Sequence, residues 1–436
     1  MNTCPKIAVL GAGSFVFGPS VLHDLIVVHR WADCELALVD VDERVLGLMA
    51  GVARRMASDQ GVALRVTTTT CRTEALADAD FVFCCAARQI WKRFETDTAI
   101  IDRCVPGHLV TEFGGVAGIS YSLRQLSLMN EIVRDMQACC PKAWLFSVSN
   151  PLPRLIQAAC DDGVRAVGFC SAMLGGYDML WQLFNDGVRI EYPYREAADR
   201  WSLVSGGTNH FAWLLELKDR ATGADLMPEL RSRLAAGRSA GQPLVEAIAR
   251  ETGWLLLPGD AHVRDFLPPR ECTPRVREAT HGDAAERERR LALLQAVGDG
   301  RASAAELVHH RSWEKPADLA AAIALGREAE FPALNLTNRG QIPELPRGVI
   351  VETPCRGTAA GPVPRPVRLP AAVATLCAST AQVTNAIVRA WRERSLKGLH
   401  EVVELDPTIV PVKKAPAWEA LRECLQAHAD VLPRFE

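Results

Sequence analysis

Two glycines and one carboxylate carry the first recognisable chemistry in this chain. Gly11-x-Gly13 follows an apolar run, Ile7-Ala-Val-Leu10, and precedes a helical pattern. Glycine lacks the Cβ that would block a pyrophosphate, and a helix N-terminus offers free N–H groups to it. Ser14 and Phe15 complete the turn. The third glycine of a GxGxxG fingerprint is missing, because position 16 is Val and Gly18 lies two residues late. Asp40 stands 27 residues after Gly13, at the end of a second apolar run, where a carboxylate can accept ribose hydroxyls. An acid there repels a 2′-phosphate, so the loop predicts NAD over NADP. A plain tight turn and a solvated loop carboxylate are the structural alternatives.

Four further segments place reactive side chains near turns. They are Ser149-Asn150-Pro151, Gly168-Phe169-Cys170-Ser171, Gly206-Gly-Thr-Asn209-His210-Phe-Ala-Trp213 and Gly259-Asp260-Ala261-His262. The first two follow apolar runs that read as strands, and open α/β sheets bind ligands beyond such carboxyl ends. A thiol and an imidazole can together hold a divalent ion. Cys170 and His210 are 40 residues apart, however, and spacing alone supplies no third ligand. A buried inert cysteine, a structural histidine, an Asx turn before Pro151 and a helix cap at Asp260 are the alternatives.

The elements that must position these residues alternate in the first half. Strands are expected at Lys6–Leu10, Glu35–Val39, Ala63–Thr69, Asp80–Cys85, Ala143–Val148 and Ala166–Phe169. Helices are expected at Pro19–Val28, Arg44–Ala57 and Ile119–Met136. That rhythm predicts an α/β fold with a Rossmann-like, doubly wound, mostly parallel sheet. Beyond about residue 195 it changes. Trp201–Ser205 and Phe211–Leu217 read as strands around a Gly-Gly loop, and Glu286–Ala296, Ala317–Glu328 and Ala371–Leu396 as helices. The proline-rich stretch 354–370 reads as an extended connector. The expected division is an NAD-binding domain over 1–195 and an α+β substrate, metal and oligomerisation domain over 196–436.

Composition limits the classes. The chain has 436 residues, 48% apolar and 23% charged, with a formal net charge of −3. This is globular rather than disordered. The near-neutral balance argues against a nucleic-acid binder, which would show a basic excess. No signal-peptide core or membrane-length apolar run stands out, and the scattered 14 cysteines include vicinal pairs at Cys84-Cys85 and Cys139-Cys140. Cytoplasmic location, reduced thiols and no membrane partner are the expectation.

Taken together, the segments resemble glycoside hydrolase family 4, the NAD- and metal-dependent glycosidases. The resemblance is carried by Lys6-Ile-Ala-Val-Leu-Gly-Ala-Gly-Ser14, Glu112-Phe-Gly-Gly-Val-Ala-Gly118 with Leu123-Arg124, Asn150-Pro151, Gly168-Phe-Cys170, Asn209-His210-Phe-Ala-Trp213, Gly259-Asp260-Ala-His262 with Asp265-Phe266, Asn335-Leu-Thr-Asn338-Arg-Gly340, and Val351-Glu352. It implies a route through transient oxidation at the sugar's C3, removal of the C2 proton, elimination of the aglycone and return of the hydride. This departs from the two-carboxylate scheme. The resemblance implies Cys170 and His210 as metal ligands, with manganese as the ion, and Asp260 as the C2 base. It also implies Asn150 beside cofactor and sugar, and Glu112, Asn209 and His262 as sugar contacts. Among branches it is most similar to those acting on non-phosphorylated and uronic-acid α-glycosides, and it implies a homodimer or homotetramer. Two departures bear on the substrate. Ser171 stands where the α-acting branches carry the leaving-group acid, and Ala261 replaces an arginine. Two other readings stay open here: a net NAD-dependent dehydrogenase of a sugar or hydroxy acid, and a non-catalytic NAD or sugar sensor.

Overall fold

The computed structural model describes residues 5–15, 17–185, 193–275, 284–308 and 311–436. Val16, the position that breaks the glycine fingerprint, lies outside them. The strands are β1 (Lys6–Leu10), β2 (Cys34–Val39), β3 (Leu64–Thr69), β4 (Phe81–Cys84), β5 (Trp144–Ser147), β6 (Arg165–Gly168), β7 (Trp201–Thr208), β8 (Phe211–Asp219), β9 (Ala329–Thr337), β10 (Ile350–Thr358) and β11 (Gly361–Pro364). They form one sheet in the order β3-β2-β1-β4-β5-β6-β9-β10-β7-β8, with β11 paired to β10. The first six are parallel, and the rest are antiparallel. The Rossmann-like reading of the first half therefore holds. The sheet continues without interruption into the second half, and the expected boundary at 195/196 falls inside the helix Pro193–Arg200.

The central strands are apolar because both faces are covered. All four residues of β4 are buried. One face packs against the helices Gly115–Cys139, Leu152–Asp161, Ala371–Glu393 and Lys414–Ala427. The other packs against Gly18–His23, Glu43–Gln60 and Pro316–Leu325. A third core lies between the β7–β8 hairpin and the helices Gly175–Phe184, Met227–Ala235 and Pro243–Thr252. Helix ends follow local chemistry. The Asp42 side chain accepts from the Val45 N–H, and Gly61 closes the same helix at φ 60°.

Ala371–Glu393 is long and apolar enough to cross a membrane by length and composition. Here its Val383, Ile387 and Ala390 are buried in the first core, and its Val373 and Cys377 in the third. Every cysteine among the described residues is free.

The second half corrects three expectations. The helix expected to reach Glu328 ends at Leu325, where Gly326 takes a left-handed φ of 66°. The 354–370 connector instead supplies the end of β10 and all of β11. β9 and most of β10 had no expected counterpart. Both carry Pro and Glu within apolar runs, which breaks the strand pattern. In β10 the register shifts between Thr353 and Cys355, so Pro354, which has no N–H to donate, sits in a bulge.

The C-terminal segment is tied in by a buried ion network. Asp97 accepts from Ser120 Oγ at 3.0 Å, Arg124 Nη1 at 2.8 Å and His428 Nε2 at 2.8 Å. Asp97 and Arg124 are almost fully buried. Asp97→Ala strands the Arg124 charge in the core, and should destabilise the fold by about 3–5 kcal/mol, read as a lower urea midpoint. A midpoint unchanged from wild type would contradict this.

Candidate active site

The glycine turn connects β1 to the helix Gly18–His23. Gly11 has φ 81°, and the backbone of Ala86 lies 2.8 Å from where its Cβ would sit. The Gly11 and Ala12 N–H groups donate to the Val39 carbonyl at 2.9 and 3.0 Å. Asp40 then clamps the turn. Its Oδ2 accepts from the Gly13 N–H at 2.8 Å and its Oδ1 from the Asp42 N–H at 3.1 Å. Each carboxylate oxygen keeps a further acceptor position. Ser14 Oγ accepts from the Phe17 N–H at 3.2 Å, and the Arg287 guanidinium lies 5.6 Å from the Phe15 ring centre. Gly11, Gly13, Ser14, Phe15 and Asp40 thus share one loop system beyond the ends of β1 and β2.

Asn150 follows β5, with a cis peptide to Pro151. Its Nδ2 donates to Glu112 Oε2 at 3.0 Å, and its carbonyl accepts from Gln125 Nε2 at 3.3 Å. The Glu112 loop is fixed on both sides. The Phe113 N–H donates to Asp265 Oδ2 at 3.0 Å, and the Gly115 N–H to Asp406 Oδ2 at 2.8 Å. Arg154, fully enclosed, donates to the Phe113 carbonyl at 2.7 Å.

Phe113 leads directly to the histidines. Its ring centre is 4.6 Å from that of His210, which in turn lies 4.6 Å from His262. His210 sits in the two-residue turn between β7 and β8, with a left-handed φ of 59°. Burial, with His262 alongside, holds its imidazole well below the ordinary range, so it is neutral at pH 7. A neutral imidazole is the form that ligates metals. Cys170 lies two residues beyond β6. Its sulfur accepts from the Ala172 N–H at 3.4 Å. Burial pushes this thiol up, so a cation is needed to make it a thiolate. Ser171 begins the short turn Ala172–Leu174 without capping it through its side chain.

Asp260 is placed differently from a free carboxylate. Its two oxygens accept from the N–H groups of Leu244 and Val245, at 3.0 and 2.8 Å, at the N-terminus of the helix Pro243–Thr252. It therefore caps a helix that precedes it in sequence, rather than its own. Burial still pushes its carboxyl above the ordinary aspartate range, against those two hydrogen bonds. His262, two residues on, connects this segment to His210.

Glu352, on β10, had been assigned no role. It is 2% exposed, and its Oε2 accepts from Asn209 Nδ2 at 3.1 Å and Asn335 Nδ2 at 3.0 Å. Burial pushes it up to about 7. The Oδ1 atoms of Asn209 and Asn335 are buried without a partner. An acid directly after the apolar pair Ile350-Val351 was the available signal.

Among the described residues, no three His, Cys, Asp or Glu side chains cluster closely enough to enclose a metal. A thiol, a neutral imidazole and the unpartnered amide oxygen of Asn209, the residue before His210, suit an open site that substrate and water complete. A cavity of about 850 Å³ lies to one side, between β7 and the β10–β11 hairpin. Cys170 and His210 do not line it, but Leu174, three residues beyond Ser171, does. Arg220, Arg311, Lys315, Arg356 and Arg365 line its walls.

Residues 6–185 match the family 4 glycosyl hydrolase model, and residues 205–409 match the model of that family's C-terminal domain. The chain belongs to glycosyl hydrolase family 4. This family 4 chain is 23% identical to an α-galactosidase of Bacillus subtilis (strain 168), over 99% of its own length and 100% of the relative's. It is 26% identical to an α-galacturonidase of the same organism, over 80% of each chain. Its fold matches that of a 6-phospho-α-glucosidase from gut microorganisms, solved in complex with NAD and Mn2+. The TM-score is 0.80 at 20% identity, covering 99% of this chain and 100% of that one. Family membership makes the protein an O-glycosyl hydrolase. The turns that carried the resemblance, at Gly11, Asn150, Cys170 and His210, are those the fold places at the ends of β1, β5, β6 and β7.

Proposed function

We propose that this glycosidase hydrolyses an α-glycoside of a uronic acid or another non-phosphorylated sugar, using NAD and a divalent metal, manganese. The observation that carries the reading is the chain of contacts that joins the Glu112–Asn150 pair to His210 through Phe113, and the Asn209–His210 turn through Glu352 and Asn335 to the strand that leads into Cys170. When bound, NAD would exchange hydride with the sugar's C3 and the metal would stabilise negative charge on the adjacent oxygen.

The chain's own residues do the rest. Gly11, Gly13 and Ser14 leave main-chain room for the pyrophosphate, with Phe15 beside them, and Asp40 accepts the ribose hydroxyls. Cys170 and His210 hold the ion. Glu112, Asn150, Asn209 and His262 orient the sugar hydroxyls. Asp260 receives the C2 proton on an acceptor position left by its two main-chain bonds, and its raised proton affinity suits that task. Ser171 faces the leaving-group side without an acidic proton, which favours aglycones that depart readily. The arginine-bearing cavity that Leu174 lines supports a carboxylated substrate, as does the likeness to an α-galacturonidase. A cytoplasmic homodimer or homotetramer completes the proposal, and light scattering on the purified protein tests the assembly.

A panel of nitrophenyl α- and β-glycosides, including galacturonides, glucuronides and 6-phosphoglucosides, tests this reading. Release of nitrophenol from an α-uronide, lost when NAD or Mn2+ is omitted, is expected. Release only from a 6-phosphoglucoside would overturn the substrate assignment. Steady accumulation of NADH without nitrophenol would replace hydrolysis by net dehydrogenation.

Asp40 gives a separate test. Loss of a hydrogen bond to a charged group costs about 1.5–3 kcal/mol, so Asp40→Ala should weaken NAD binding by roughly 10- to 100-fold. Titration of NAD against intrinsic fluorescence reads it. An unaltered affinity removes the ribose contact.

A further inference from the structure

Cys170 and His210 follow strands that are not neighbours. Cys170 follows β6 and His210 follows β7, with β9 and β10 between them. One lateral row crosses all four strands at this level. Gly168 of β6 pairs with Asn335 of β9, Asn335 with Glu352 of β10, and Glu352 with Gly207 of β7. Both ends of the row are glycines. A Cβ on Gly168 would lie 2.9 Å from that of Asn335, so the row closes tightly only because Gly168 has none. Cys170 lies two residues beyond Gly168, and Asn209 two residues beyond Gly207.

We propose that Glu352 is the positioning residue that sets both metal-bearing turns. The inference rests on the metal reading above. One oxygen, Oε2, accepts from Asn335, whose backbone is bridged to the Cys170 strand. The same oxygen accepts from Asn209, the residue before His210. Both bonds end on one oxygen, so a single carboxylate ties the Asn209–His210 turn to the strand pair that leads into Cys170. No chemistry at the reacting sugar atoms is assigned to Glu352.

The charge balance points the same way. Glu352 has no Lys, Arg or His ion-pair partner among the described residues, and two amides are its only hydrogen-bond donors there. A buried carboxylate normally has a cation for company. A divalent ion held by Cys170 and His210 would supply that missing positive charge. Partners one shell out from a metal's ligands typically change its affinity by about 10- to 100-fold.

The test compares wild type, Glu352→Gln and Glu352→Asp in full-length protein, by titration of Mn2+ alone. Glu352→Gln keeps the size and an acceptor oxygen but removes the charge. It should raise the Mn2+ dissociation constant by about 10- to 100-fold, with NAD affinity unchanged. With Co2+ as the probe, the thiolate-to-cobalt absorption of this variant should weaken or shift. Glu352→Asp retains the charge and should bind Mn2+ within a few-fold of wild type, a rescue that a packing role alone does not give. Unchanged Mn2+ affinity and an unchanged cobalt spectrum in Glu352→Gln would overturn this proposal alone. So would parallel losses of Mn2+ affinity, NAD affinity and thermal stability in both variants. Failure of the wild type to bind either metal would overturn the metal reading and this proposal with it.

Discussion

Cys170→Ser should lower turnover by about a thousandfold while NAD affinity stays at its wild-type value. A metal that stabilises developing negative charge contributes several kcal/mol, and about 4 kcal/mol corresponds to three decades in rate. Serine matches cysteine in shape but supplies a hydroxyl that is a poor ligand for a divalent ion at neutral pH. The fold should tolerate the change, because the Cys170 sulfur accepts one 3.4 Å hydrogen bond, from Ala172, that a hydroxyl can also accept. The glycine loop and Asp40 follow β1 and β2, which are separated from β6 by β4 and β5. That separation predicts independence of the two sites. Initial rates at saturating Mn2+ and NAD, with a parallel NAD titration, decide the matter. Activity that survives in Cys170→Ser would remove this residue from the metal site.

Asp260→Asn carries the second large effect, and it separates two roles of one side chain. As general base, Asp260 is worth about 10²- to 10⁴-fold in kcat. As a cap on the helix Pro243–Thr252, it is worth about 0.5–2 kcal/mol of stability. Asparagine retains one acceptor oxygen for the N–H groups of Leu244 and Val245, so the fold should persist with a modestly lower melting temperature. The proton-abstracting form is the carboxylate. Since burial pushes this carboxyl above the ordinary aspartate range, activity should rise with pH through that raised pKa. Asp260→Asn should abolish this acid limb along with turnover. Folding stability runs the other way. A carboxyl with a raised pKa in the folded state binds its proton more tightly there, so its contribution declines as pH rises through the window between the unfolded and folded values. A variant that loses stability but keeps its turnover would leave Asp260 as a cap only.

Much of the first half was legible because its signals are local. The apolar runs of β1, β2, β4, β5 and β6 end at turn residues, and Asp40 lies at a fixed distance from Gly13 along one strand–helix–strand unit. The second half resists the same reading because its determinants are distant in sequence. Glu352 is joined to Asn209, 143 residues away. Asp260 caps a helix whose N-terminus lies upstream of it, which no spacing rule for caps anticipates. β9 and β10 were hidden by Pro332 and Pro354, residues that argue against interior strands until the bulge beside Pro354 is seen. The candidate site residues could be singled out because turns at strand ends keep short motifs intact. Asn150-Pro151, Gly168-Phe-Cys170 and Asn209-His210 are each contiguous. Their mutual arrangement was not readable, since it depends on the lateral row through Asn335 and Glu352.

The central claim is that glycoside cleavage proceeds through removal of the C2 proton. Hydrolysis of an α-glycoside substrate in D₂O, with NAD and Mn2+, tests it directly when the released sugar is examined by NMR. One deuterium at C2 of the product, appearing only when both cofactors are supplied, is the expected result. Release of a sugar that retains its C2 proton would contradict the account and point instead to a two-carboxylate hydrolysis.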